Sequence, residues 1–182
     1  MIRRITSKED EAKKTRRNQI VVGIVLVVLM LFSILGYSFG SNPSTSTSQT
    51  VEYNGYNFTS SGGLWSLSVG ETAFGFASHP KNAYKTTSSL KSLTNYYGKP
   101  LYIYSESADA ESEIYRNLYG VSDRVDSVND TAAKTCADNF IIIREKSVAR
   151  ISQDGGCVFM DGPSDDLIKI TDGFLLKIIG VN

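Results

Sequence analysis

Two cysteines, one histidine and three acidic runs are the groups in this 182-residue chain whose types could support chemistry. Cys136 and Cys157 both follow a long apolar stretch that would export them, and an even cysteine count in an oxidising compartment points to one disulfide. Closing that loop would contribute about 3 kcal/mol through chain entropy. The alternative, a free reactive thiol at either position, needs a neighbour that lowers its pKa, and none stands nearby in the sequence. Two distant cysteines and one histidine are too few ligands for a metal site. His79, followed by Pro80, is of the residue type suited to general acid–base work or pH sensing. A lone imidazole needs a partner to orient it, however, and the sequence identifies none. The acidic runs over 106–113, 123–130 and 161–166 would serve a paired-carboxylate hydrolase or a calcium loop if the fold brought them together. Residues 161–166 (DGPSDD) lack the alternating oxygen ligands and closing Glu of an EF-hand, and Asp165 and Asp166 have a simpler use beside the positive end of a helix. No catalytic residue, cofactor site or metal site is therefore expected.

Two patterns bear on recognition. Asn57-Phe58-Thr59 and Asn129-Asp130-Thr131 match the N-glycosylation acceptor, and Asn57 should point opposite Phe58 on its strand, toward solvent. Tyrosine is frequent, at positions 53, 56, 84, 96, 97, 102, 104, 115 and 119. Tyrosines beside Ser and Asn suit a binding surface as well as a half-buried strand or helix face, and the expected patch is Tyr96 and Tyr97 beside Gly98.

The elements that must position these groups begin with a charge split. Seven Lys and Arg against three acids precede Ile20, so the tail over 1–19 is +4 and the remainder is −4. The run over 20–39 carries no charge and at about 1.5 Å per residue would cross a hydrocarbon core of about 30 Å. The basic flank, with Arg3, Arg4, Lys8, Lys13, Lys14, Arg16 and Arg17, would stay in the cytoplasm and leave the C-terminal part outside. A cleavable signal peptide ending near Ser38-Phe39-Gly40 is the competing reading, and it exports the same domain. Residues 40–50 (GSNPSTSTSQT) are a flexible spacer in composition, which puts an extracytoplasmic domain at 51–182. The negative charge of that domain and its lack of a basic stripe argue against nucleic-acid binding.

Within the domain the hydrophobic period predicts a mixed α/β fold. Asn54-Gly55 is the pair a tight hairpin turn needs, and the alternation around Leu67, Val69, Phe74 and Phe76 with Gly70-Glu71 between them predicts an antiparallel meander. Ala83, Thr86, Leu90, Leu93 and Tyr97 fall at helical steps and predict a helix over 81–97, although its Ser and Thr content weakens it. A strand at 101–104 and a helix over 108–119, with Ala110, Ile114 and Leu118 as its buried stripe, favour a crossover and a parallel strand pair. Residues 122–129 read as polar loop, with one helical turn near 131–137. The apolar FIII run at 140–143 predicts a central strand, followed by a hairpin of 148–151 with 157–160 through Asp154-Gly155-Gly156. A helix should start at Pro163-Ser164, bury Leu167, Ile170, Phe174 and Ile178, and end at Gly180.

The order of a basic tail, one apolar helix, a polar spacer, a YNGYNF opening, LW, an HP step, a cysteine pair and a closing DGFLLKIIGV resembles small membrane-anchored proteins of archaea. That resemblance implies an archaeal cell envelope and raises the prospect of glycosylation, but brings no activity. The expected function is a non-enzymatic envelope module, anchored in the lipid bilayer through residues 20–39, that binds an envelope protein or a glycan. The alternatives are an envelope-polymer hydrolase using carboxylates and His79, and a sensor that signals through a cytoplasmic partner.

Overall fold

The computed structural model describes residues 19–27, 29–30 and 48–182. Residues 19–27 and 29–30 are helical. The rest of the expected membrane span, the tail before residue 19 and the spacer up to residue 47 lie outside the described residues. Among the described residues no helix is long and apolar enough to cross a membrane. Thr47–Asn182 is a compact unit of its own.

That unit opens with the expected meander. Strands β1 (Thr50–Tyr53), β2 (Tyr56–Ser61), β3 (Leu64–Val69) and β4 (Thr72–Phe76) form a four-stranded antiparallel sheet in sequence order. The β1–β2 turn places Asn54 at φ 49° and Gly55 at φ 81°, the left-handed pair that matches the right-handed twist of the flanking strands. The alternation then sends Phe58, Leu67, Phe74 and Phe76 into the core, while Asn57, Thr59, Ser66 and Ser68 stay exposed.

A second sheet of five strands comprises β5 (Pro100–Ser105), β6 (Arg124–Ser127), β7 (Asn139–Glu145), β8 (Arg150–Asp154) and β9 (Cys157–Gly162). Its order is β6-β5-β7-β9-β8, parallel throughout except for the β8–β9 hairpin. The FIII run is central, as its unbroken apolar character requires. Helix α1 (Ala108–Leu118) makes the crossover from β5 to β6. The polar stretch expected as loop instead supplies edge strand β6, where only Val125 turns inward.

Helix α2 (Leu167–Ile178) closes the domain. It ends as anticipated: Gly180 takes φ 87°, the Val181 amide donates to the Leu176 carbonyl at 2.9 Å, and the Gly180 amide donates to Lys177 at 3.2 Å. Every residue from Ile170 to Leu176 is buried, so α2 has no solvent stripe, as befits a helix enclosed by the fold. Its residues share one core with the inner faces of both sheets and with α1.

The helix expected over 81–97 does not form. Two 3-10 turns, Pro80–Asn82 and Leu93–Asn95, flank an extended stretch. Its backbone and hydroxyl groups find partners across the fold instead of four residues away. The Tyr84 amide donates to Lys169 O at 2.9 Å, Ser88 Oγ to Ile151 O at 2.6 Å, and the Lys91 amide to Gln153 Oε1 at 2.7 Å. Ser and Thr compete for backbone groups and so tolerate this conformation better than a helix. Gly173 makes the docking feasible, because a Cβ there would lie 2.1 Å from the Tyr84 carbonyl oxygen.

The face of the second sheet away from α1 and α2 carries Tyr102, Phe140, Ile142 and Cys157, with Tyr104, Val128 and Phe159 at its margin. Parallel sheets normally bury both faces under helices. Here the cationic side chains of Lys134, Arg124 and Arg144 lie over the rings of Tyr102 and Phe159. The Cys136–Cys157 disulfide ties the loop that precedes β7 to β9.

Candidate binding site

Helix α1 presents two chemically different faces. It starts at Ser107, whose Oγ accepts from the Ala110 amide, and Asp109 and Glu111 complement the positive end of its dipole. Ala110, Ile114 and Leu118 form the expected apolar stripe, but Glu113 and Asn117 are buried beside it. These two polar groups are matched to the edge of β4. Asn117 Oδ1 accepts from the Gly75 amide at 2.8 Å and its Nδ2 donates to the Gly75 carbonyl at 2.8 Å, so the side chain pairs with the strand as another strand would. Glu113 Oε1 accepts from the Ala77 amide at 3.1 Å, and Arg116 donates to its Oε2 at 2.9 Å. An otherwise open sheet edge is thereby satisfied by helix side chains.

Asp172 of α2 meets the same edge, its Oδ2 accepting from the Ser78 amide at 2.8 Å. Burial, reinforced by the neighbouring Glu113 carboxylate, pushes the Asp172 carboxyl up to about 8. Its Oδ1 has no donor among the described residues. A protonated Asp172 satisfies both observations, since the proton on Oδ1 needs no donor. Among the described residues the Glu113–Asp172 pair is where the acidic run over 106–113 meets another carboxyl in the core, and both side chains are buried.

The outer face of α1 carries Tyr115 and Tyr119, one turn apart and stacked with ring centroids 5.0 Å apart and planes 29° from parallel. They are 43% and 59% exposed. The Gly98 amide donates to the Val121 carbonyl at 3.1 Å, which brings the 49%-exposed Tyr97 to the turn that ends α1. Among the described residues of the folded domain, these three tyrosines and Val148 are the only exposed large hydrophobics. Beside Tyr115 a shallow depression of about 470 Å³ is lined by Ala108, Glu111, Ser112 and Arg116. Ser127 of β6 donates to Glu111 and fixes that carboxylate at the rim.

The residues singled out from sequence are dispersed. Cys136 and Cys157 are bonded. His79 packs edge-on against Trp65, with centroids 4.5 Å apart, and its Nδ1 accepts from the Lys81 amide at 3.2 Å. Asn57 and Asn129 are both exposed. Tyr96 is a correction: at 2% exposure it lies in the core against Phe174, so of the expected Tyr96–Tyr97 patch only Tyr97 reaches the surface. Asp161 is held bidentately by Arg144 at 2.7 and 2.9 Å, and Asp166 pairs with Lys169 at 2.7 Å. Among the described residues no three His, Cys, Asp or Glu side chains are grouped to hold a metal. A second depression of about 330 Å³ lies beside the disulfide, between Lys91, Lys99, Asp138 and Asn139.

Sequence reasoning missed the stacked pair because it sought the buried stripe of α1. Tyr115 and Tyr119 each follow a stripe residue by one position, and their i, i+4 spacing off the stripe was the available signal. Neither a known family, a curated protein nor a solved structure is detectably similar to this chain, so its functional reading rests on the geometry of the site.

Proposed function

We propose that residues 47–182 are the binding module of a membrane-anchored cell-envelope protein, and that its ligand docks on the outer face of α1, over Tyr115, Tyr119 and Tyr97. The observation that carries this reading is the exposed, stacked tyrosine pair on a helix whose inner face is fixed by the Asn117 and Glu113 hydrogen bonds. Large amphipathic rings lose little conformational entropy on binding, and a helix already locked in place adds no further ordering cost. The disulfide fits an oxidising compartment outside the cytoplasm. Anchoring through residues 20–39 with the tail in the cytoplasm, and an archaeal envelope protein or glycan as partner, complete the proposal. A hydrolase gains little support, since Glu113 and Asp172 are buried and line neither depression, while His79 faces an indole.

The test is capture from detergent extracts of the source cells by the tagged full-length chain, compared with a Tyr97→Ala, Tyr115→Ala, Tyr119→Ala triple variant. The wild type should retain an envelope component that the variant releases. Identical material on both, or none on either, would refute the assignment.

A further inference from the structure

Three features of the α1 surface specify the ligand more closely. The first is an apolar ring face: Tyr119 stacks against one side of Tyr115, which holds that ring in place and leaves its other side for a ligand. The second is the set of polar groups around the adjoining depression, a carboxylate (Glu111), a hydroxyl (Ser112) and a guanidinium (Arg116), which together offer hydrogen-bond acceptors and donors of both charge signs. The third is size. An eleven-residue helix is about 16 Å long and about 10 Å across, which falls several-fold short of the roughly 800 Å² that a stable protein contact buries on each side.

A ligand that suits all three has one apolar face, a rim of neutral groups that both donate and accept, and a footprint of one or two rings. An acidic peptide would meet Glu111 and a basic one would meet Arg116, each at a like-charge cost. A pyranose ring satisfies every condition. Its axial C–H bonds make a flat apolar face that packs on an aromatic ring, and its equatorial hydroxyls radiate outward, where the polar groups that line the depression with Tyr115 can meet them. Resting on the binding reading above, we infer that the Tyr115–Tyr119 platform is a carbohydrate subsite that takes a neutral, equatorially substituted pyranose of a glycan chain. Tyr115 is the stacking residue, since it belongs both to the aromatic pair and to the depression. Glu111, held by Ser127, accepts from a pair of adjacent hydroxyls, and Arg116 donates to a ring or glycosidic oxygen from the other side. Tyr119, stacked behind Tyr115, holds that ring in position.

The experiment is isothermal titration of the full-length chain, in a detergent without a sugar headgroup, with cellohexaose and hexa-N-acetylchitohexaose as probes. Wild type should bind at least one of them, Tyr115→Ala should weaken it by about tenfold, and Tyr115→Phe should leave it within about twofold, because the ring and not the hydroxyl makes the contact. Glu111→Gln, which keeps an oxygen to accept from Ser127, should weaken binding by a similar factor with only a small fall in melting temperature from the lost charge at the helix start. Wild-type binding that survives a Tyr115→Ala, Tyr119→Ala double variant would overturn the assignment, as would no binding of either hexasaccharide. If neither sugar binds while the triple variant still loses an envelope protein from extracts, the carbohydrate inference falls and the binding-module reading stands. Loss of both results removes both.

Discussion

Replacing Asp172 with Asn should make the domain more stable at pH 7 and above and leave it little changed near pH 4. The carboxyl of Asp172 sits at about 8 in the folded domain against 3.8 in its ordinary state, because burial and the Glu113 charge disfavour its ionisation. Its folded pKa lies above its unfolded one, so between these values the folded state binds more protons than the unfolded state. The stability due to this group is therefore fully present below about pH 4 and is lost as pH rises toward 8. At about 1.4 kcal/mol per pH unit the full shift corresponds to roughly 4 kcal/mol at pH 7. Asparagine keeps an oxygen to accept from the Ser78 amide and offers Glu113 an N–H without a titration, so the variant should escape the loss. The assay is urea unfolding of residues 47–182 with the disulfide intact, from pH 4.5 to 8.5, for wild type and Asp172→Asn. Taking the difference between the two cancels every other titrating group. The gap should open steadily across that range in favour of the variant. A gap independent of pH, or a variant weaker by the same amount throughout, would show that Asp172 is ionised in the fold at neutral pH and refute the reasoning.

Two further outcomes follow from buried groups. The Tyr96 hydroxyl is buried with no hydrogen-bond partner among the described residues, and burial pushes its phenol well above the ordinary tyrosine range. Tyr96→Phe removes that unpaired group without changing the packing on Phe174, so it should raise stability by about 1 kcal/mol in thermal unfolding, and a loss of 1 kcal/mol would point to an unseen partner. A Cys136→Ser, Cys157→Ser double variant loses a cross-link that closes a separation of 21 residues and should fall by about 3 kcal/mol in urea. Limited proteolysis of that variant should cut first within residues 128–138.

How much of this was legible in the sequence depended on whether a pattern had one physical reading. The Asn54-Gly55 turn, the central FIII strand and the Gly180 ending were each over-determined by backbone chemistry, and each formed as expected. The 81–97 segment had a helical period but residues that prefer other partners. The partners that decided its course, the carbonyls of Lys169 and Ile151 and the amide of Gln153, lie more than sixty residues away and carry no local signal. Strand β6 was obscured for a related reason: an edge strand with only Val125 turned inward is polar by composition. The disulfide followed from counting. Glu113 and Asp172 did not, since a carboxyl on an amphipathic helix reads as solvated unless a strand edge is known to face it.

The same buried polar groups explain why the tyrosine platform is a better candidate than any of the residues with more obvious chemistry. The reactive groups named above are already committed: His79 to Trp65 and a backbone amide, the cysteines to each other, Asp161 to Arg144, Glu113 and Asp172 to the β4 edge. Among the described residues the side chains of Tyr115 and Tyr119 make no hydrogen bond within the fold, and Lys or Glu at the same helix positions would expose less apolar area. Asn117, two positions from each ring, fixes the helix against Gly75 with both atoms of its amide. Loosening that contact should therefore degrade ligand binding without touching the ligand. Asn117→Ser, which cannot reproduce both bonds, is expected to weaken oligosaccharide binding by severalfold at temperatures where the domain stays folded, whereas an unchanged affinity would detach the rigidity of α1 from its role as a platform.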